Sequence, residues 1–387
     1  MTTQQDMPYR LRLPGPTPVP ERIYKAMTQP IVAHRGAEFY EVMKEVASGV
    51  QTLFGTRNQP MFFTSSGTGV MEAALANVLG EDDKALVLNN GQFGERFTQI
   101  AKSLGRQADQ LTAPWGEAVP IDAIAAQLEK DSYRAVVAVH NESSTGAVAD
   151  LEAIGKVVRD SSTILVVDSV SGMGGMELRQ DEWGVDVIVS GSQKALMCPP
   201  GAGLVSVSDK AWSVMEDGRA KPGFYWDFKK ARTAAEKNET PYTSPISLIF
   251  GMREALRMIN EEEWENVLAR HARLASEMQT GGAALGLPVF TKSPLVSSTV
   301  VVFAVPEGFD GGEAVRHMKQ HYNTVIAGIR NEKMKGKLIR IGTMGACTAE
   351  DIRQDLEYLK LSLEALGWAL RPVADADSAV EALRPSS

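Results

Sequence analysis

Five short apolar runs decide most of what this chain can become. Residues 85–88, 135–139, 164–167, 187–189 and 204–207 are built almost wholly from Val, Ile, Leu, Ala and Ser, and helix-period stretches near 97–104, 121–128 and 151–158 lie between several of them. A strand that is apolar on both faces must be covered on both, and helices alternating with such strands supply that cover. The pattern predicts an α/β fold with a mostly parallel central sheet and helices on both faces, the sheet falling within about residues 59–242.

The flanking sequence has a different texture. Closely spaced prolines in Leu13-Pro-Gly-Pro-Thr-Pro-Val-Pro20 exclude a helix there, because each removes a donor and forces extended backbone before it. Phe39, Val42, Met43, Val46, Val50 and Leu53 then recur at helical spacing and stop at Gly55. Beyond Pro245 the periodicity predicts a long helix over 247–278, a strand at 298–305, a helix at 314–321, a strand at 337–341 and a helix at 351–366. The expected organisation is an arm (1–20), a large domain with N-terminal helices (21–245), a smaller α+β C-terminal domain (246–370) and a tail (371–387). A length of 387 residues suits two cores better than one.

A formal net charge of -8 argues against non-specific nucleic-acid binding. The two cysteines, Cys198 and Cys347, form neither a disulfide framework nor a CxxC pair. No stretch approaches the roughly 20 apolar residues of a membrane span, and the N-terminus lacks the apolar core of an export signal, so a soluble cytoplasmic protein is expected. His317 and His321 can share a helix face, but no carboxylate or cysteine completes a ligand set, and no metal site is expected.

Polar or glycine-rich loops follow the apolar runs. Thr64-Ser-Ser-Gly-Thr-Gly69 opens a helix, where unpaired backbone N–H groups and the positive dipole end favour a phosphate. It lacks the Gly-Lys-Ser/Thr of a nucleotide loop and the third glycine of a dinucleotide fingerprint. Asn90-Gly-Gln-Phe-Gly94 offers an exposed aromatic ring, Asn141-Glu-Ser-Ser-Thr-Gly146 offers hydroxyls, and Asp168 ends its run as a carboxylate that needs a cationic partner if buried. Lys194 closes a further run in Ser-Gly-Ser-Gln-Lys, ahead of Pro-Pro-Gly-Ala-Gly. One site at the carboxyl edge of the sheet, with a phosphate cradle, a stacking ring, a carboxylate and a lysine, has the chemistry of pyridoxal 5'-phosphate.

The segment DVIVSGSQKALMCPPGAG at 186–203, together with LPGPTPVP, SSGTGVMEAALANVL, ESSTG, VDSVSGMGG and IRIGTMG, resembles the class V aminotransferases of the fold-type I pyridoxal-phosphate enzymes. The resemblance is to the alanine–glyoxylate and serine–glyoxylate branch and covers nearly the whole chain. It implies that Lys194 holds the cofactor as a Schiff base, that Asp168 binds the pyridinium nitrogen, that Phe93 stacks on the ring and that Ser143 bonds near the ring hydroxyl. Gly67, Thr68 and Gln193 would hold the phosphate, completed by Tyr242 and Thr243 from the other subunit of a homodimer. Arg340 would grip the substrate α-carboxylate and Gly15 would form part of the substrate wall. The implied reaction transfers the amino group of a small L-amino acid, alanine or serine, to glyoxylate or another small 2-oxo acid by a ping-pong mechanism. Some relatives carry tryptophan where this chain has Phe93, which stacks without an indole N–H. A cysteine desulfurase shares the fold but needs a mobile nucleophilic cysteine, and neither Cys198 nor Cys347 sits in a suitable loop; an inactive subunit would have little reason to keep the lysine, aspartate and arginine together.

Overall fold

A computed structural model of the chain describes residues 7–368. The expected tail at 371–387 and the first six residues of the expected arm lie outside them. The centre is a seven-stranded sheet in the order Met61–Ser65, Gly201–Val207, Val187–Gly191, Ile164–Asp168, Ala135–Val139, Lys84–Asn89, Gln107–Thr112. Gly201–Val207 runs antiparallel to both its neighbours and every other pairing is parallel. That exception has a chain-length cause. Residues 192–200 are fewer than the dozen or so a parallel crossover needs, so the strand after the lysine loop turns straight back.

Side chains of each central strand alternate between two cores, as the pleat requires. Leu86, Val136, Leu165 and Ile188 enter one core, under the helices Glu21–Met27, Ala37–Phe54 and Ile246–Glu262. Val87, Val137, Val166 and Val189 enter the other, under Gly67–Val78 and Gln92–Ser103. Each such buried side chain contributes roughly 1.5–3 kcal/mol. Gln107–Thr112, of sequence QADQLT, carries no apolar run and is not predicted; it forms because it lies at the sheet edge with one partner and a half-exposed face. Helices Asp209–Met215 and Phe228–Ala235 are also unpredicted.

The expected helix over 247–278 is two helices, Ile246–Glu262 and Trp264–Ala284, broken at Glu263, whose φ is 70°. Ile249, Phe250 and Ile259 of the first belong to the core of the large sheet, while Leu274, Ala275 and Met278 of the second belong to a separate core. One straight helix cannot serve both. The helix at 246–262 therefore packs with the large sheet, not with the C-terminal unit in which the expected boundary at 246 placed it. The second core lies beneath the antiparallel pair Val300–Ala304 and Leu338–Gly342 and is closed by Gly311–Tyr322 and by Ala349–Ala365, the latter opened by a Thr348/Asp351 capping box.

The N-terminal segment ties the two parts together. Arg10–Leu11 pairs in parallel with Thr324–Val325. Arg10 and Arg12 form ion pairs with Asp355 at 2.7 and 3.0 Å and also with Asp351. The Gly342 N–H donates to the Arg12 carbonyl at 2.9 Å, which leads the following residues, Pro14 and Gly15, across the carboxyl edge of the large sheet.

Candidate active site

Lys194 sits in a loop that folds back on itself. Cys198 N–H donates to the Ser192 carbonyl at 3.2 Å, Met197 N–H to the Lys194 carbonyl at 2.9 Å, and Ser192 Oγ to the Pro199 carbonyl at 2.7 Å. The arm locks the loop from the other side through Thr17, whose Oγ1 donates to the Lys194 carbonyl at 2.9 Å. Lys194 Nζ donates to the Pro14 carbonyl. Gly15, at φ +110°, lies so close that a Cβ there would stand 2.7 Å from Nζ, so both backbone conformation and space require glycine. Burial pulls the Lys194 amine down to about 8, aided by Arg340 and Arg96 and opposed by Asp168. Only the neutral amine is nucleophilic. Capture of added pyridoxal phosphate by the apoenzyme should therefore accelerate as pH rises through about 8 and level off about a unit above it; stopped-flow absorbance checks this, and a flat rate across that window would place the titration elsewhere.

Asp168, the last residue of its strand, faces the same cavity of about 280 Å³ as Lys194. It is 4% exposed and accepts one hydrogen bond, from Val170 N–H at 2.7 Å. Burial raises its carboxyl to about 6, with the Val170 bond pulling the other way. No ion pair to Asp168 occurs within the described residues, so a buried carboxylate faces the cavity wanting a cation or a proton donor.

The start of the helix Gly67–Val78 lines the same cavity. Ser66 is its N-cap, its Oγ accepting from Gly69 N–H at 3.4 Å, and Gly67 and Thr68 occupy the first turn, where the backbone donors and dipole favour an anion. Gln193 lines the cavity too, and its Oε1, like Oδ1 of Asn141, is buried without a partner among the described residues. These two groups are left for a polar ligand to satisfy. A phosphate at the helix start, a ring nitrogen at Asp168 and a carbonyl carbon at Lys194 match the residues present, so the cavity fits pyridoxal phosphate.

Phe93 and Ser143 line this cavity, and two further residues hold their loops in place. The helix expected near 97 begins at Gln92, which puts Arg96 one turn beyond Phe93; its guanidinium lies 4.6 Å from the Phe93 ring centroid and donates to Thr68 Oγ1 at 3.1 Å. The spacing of three on a helix was a legible signal, hidden by starting the helix too late. Glu142 is fully buried, accepting at Oε2 from Phe93 and Gly94 N–H at 2.9 and 3.1 Å and at Oε1 from Ser144 N–H at 3.2 Å. It ties the aromatic loop to the Ser143 loop, and burial raises its carboxyl.

Arg340 lines an adjoining cavity of about 460 Å³ that shares Gly15, Phe93, Ser143 and Lys194 with the first. Its guanidinium is aimed by carbonyls: Nη1 donates to Ser143 O at 2.9 Å, and Nε and Nη2 donate to Gly328 O at 3.1 and 2.8 Å. Burial draws it down to about 10. No carboxylate pairs with it within the described residues, which leaves its charge for a bound anion.

Tyr242 and Thr243 are not brought to this cavity within the chain. Tyr242 Oη donates to the Phe224 carbonyl at 2.6 Å, and its ring stacks on Tyr225 at 5.1 Å; the Thr243 carbonyl accepts from Thr64 Oγ1 at 3.3 Å. Cys198 and Cys347 are buried and unbridged, and burial pushes both thiols up, away from nucleophilic thiolate.

A lysine amine lowered by burial, lining one cavity with an aspartate and a helix start at the carboxyl edge of a mostly parallel sheet, defines the chain as a fold-type I pyridoxal-phosphate enzyme. Within that class the chain belongs to the class-V aminotransferases, whose family model matches residues 15–354. It is 37% identical to the L-aspartate–glyoxylate aminotransferase of Paracoccus denitrificans (strain Pd 1222), over 87% of this chain and 86% of that one. It is 34% identical to the serine–glyoxylate aminotransferase of Methylorubrum extorquens, over 97% and 96%. Its fold superposes on the crystal structure of ureidoglycine–glyoxylate aminotransferase from Bacillus subtilis with a TM-score of 0.89, at 27% identity, covering 97% of this chain and 98% of the other. It is an aminotransferase that uses pyridoxal phosphate.

Proposed function

We propose that this aminotransferase moves the amino group of a small L-amino acid, alanine or serine, to glyoxylate or another small 2-oxo acid in a ping-pong cycle. The observation that carries the proposal is that Lys194 faces both the Asp168 cavity and the Arg340 cavity, so one carboxylate clamp and one proton-transferring amine serve donor and acceptor in turn. Pyridoxal phosphate, when bound, supplies an electron-withdrawing ring that stabilises negative charge at the substrate α-carbon. Asp168 keeps the ring nitrogen protonated. Lys194 would hold the cofactor through its Nζ and would move the proton at the substrate α-carbon. Gly67, Thr68 and Gln193 would hold the phosphate, Phe93 would pack on the ring, Ser143 would bond beside its hydroxyl, and Gly15 would wall the substrate side.

The same reading makes the protein a homodimer in which Tyr242 and Thr243 reach the partner's phosphate site. In support, Phe224 and Tyr225, stacked with Tyr242, are 73% and 39% exposed, an aromatic face suited to a second copy. Two buried, unbridged cysteines fit a reducing compartment such as the cytoplasm.

Arg340→Lys keeps the charge and loses the planar fork that the Ser143 and Gly328 carbonyls aim. It is expected to raise KM for both donor and acceptor roughly 10- to 100-fold, the scale of a charged hydrogen bond. Steady-state kinetics with each substrate varied in turn checks this; an effect on one substrate alone would separate their carboxylate sites. Donor and acceptor themselves are tested by screening amino acids against glyoxylate and other 2-oxo acids, and the absence of alanine and serine activity would overturn the proposed specificity.

A further inference from the structure

The cavity that holds Arg340 contains a second arginine without an assigned task. Arg330 lines it beside Lys194 and Arg340, and no Asp or Glu among the described residues lines it. Arg330 has neither a hydrogen bond nor an ion pair within the described residues, and its position is set by backbone bonded to Arg340 itself: Ala327 and Arg340 exchange N–H···O bonds at 3.0 and 2.7 Å, and the Gly328 carbonyl clamps the Arg340 guanidinium. Ile329, directly before Arg330, is buried and fixes where the exposed arginine begins.

Two like charges on one cavity oppose each other; buried Glu142 offsets part of the Arg340 charge from outside the cavity lining, and no carboxylate pairs with Arg330 within the described residues. A ligand with a single carboxylate, such as alanine, serine or glyoxylate, neutralises Arg340 and leaves Arg330 free. A ligand with a second carboxylate on its side chain would neutralise both. We propose that Arg330 is a specificity-determining residue that admits dicarboxylic substrates to this site, binding the side-chain carboxylate of a four- or five-carbon amino acid while Arg340 holds the α-carboxylate. The proposal rests on the transaminase reading above and extends its donor range beyond alanine and serine.

The test compares wild-type holoenzyme with Arg330→Gln and Arg330→Glu, varying L-aspartate, L-glutamate or L-alanine against glyoxylate. Arg330 is exposed, so neither substitution should disturb folding. Wild type should turn over at least one of the two dicarboxylic donors. Arg330→Gln should lower kcat/KM for that donor roughly 10- to 100-fold, mostly through KM, and leave alanine within about twofold. Arg330→Glu should lower it further. An enzyme that uses alanine but neither dicarboxylic donor, or a variant that loses alanine and dicarboxylic activity equally, would overturn the proposal. A calorimetric arm needs no turnover: succinate, with two carboxylates, should bind wild type about tenfold or more tightly than Arg330→Gln, whereas propionate, with one, should bind both alike. Equal succinate affinities would also overturn it. Should no amino acid react at all, the transaminase specificity proposed above fails, and the succinate comparison alone still decides the role of Arg330.

Discussion

Lys194→Ala is expected to lower turnover by at least about 10⁴-fold, because on the proposed function one substitution removes both the attachment point of the cofactor and the base for proton transfer. The residue is poised for both tasks. Its amine is brought down to about 8 by burial, so roughly a tenth of it is neutral at pH 7, far more than for an ordinary lysine, and its Nζ donates to the Pro14 carbonyl while the residue lines both cavities. Alanine leaves the loop intact, since the bonds from Met197, Thr17 and Cys198 that shape it use backbone atoms of residues 192–194. The decisive measurement is the single-turnover release of 2-oxo acid from an amino-acid donor, alongside cofactor retained after desalting. The variant should fail in both, and added methylamine, as a free base, should restore a small part of the first. Full activity in Lys194→Ala would remove the lysine from the mechanism.

Asp168→Asn should slow the chemical step roughly 10²–10³-fold, the scale of losing one preorganised electrostatic partner, while bound cofactor falls far less. The asparagine keeps the shape of the aspartate and can still accept from Val170 N–H, so what disappears is the negative charge. In the cavity as it stands, burial raises the Asp168 carboxyl to about 6, which means it is ionised at neutral pH by only a small margin. A protonated ring nitrogen beside it favours the ionised form and widens that margin. The sign follows: wild-type kcat should fall as pH drops through a value below about 6, where Asp168 takes up a proton, and Asp168→Asn should lack that acid limb. Turnover per bound cofactor and its pH profile read both effects. Equal turnover per cofactor in the two proteins would assign Asp168 a structural role only.

Much of the scaffold was legible because its code is local. Apolar runs near residues 85, 135, 164, 187 and 204 each became a strand, and the polar loop after each of the first four came to the same sheet edge, since parallel strands put their carboxyl ends together. The edge strand Gln107–Thr112 was not legible, because a strand with one partner and an exposed face needs no apolar run. The break at Glu263 was not legible either, because the periodicity continues through it and only the destination of each half, to different cores, forces the turn. Arg96 and Glu142 were present in quoted or adjacent motifs, yet a charged residue on a helix or in a loop carries no mark of its partner until the neighbouring loop is placed against it.

The sequence alone determined the fold class, the family and the identity of the residues at the strand ends, because each follows from short-range pattern and residue chemistry. The tertiary structure decided how those residues meet. Lys194 and Pro14 are 180 positions apart and Arg340 and Ser143 are 197 apart, yet each pair shares a hydrogen bond. No local periodicity encodes such meetings: they depend on the arm being pinned by Arg10 and Arg12 to Asp351 and Asp355 and on the pair Val300–Ala304 and Leu338–Gly342 being carried to the edge of the larger sheet. The lowered amine of Lys194 and the raised carboxyl of Asp168 belong to the same category, since burial, their largest cause, is a property of the packed molecule.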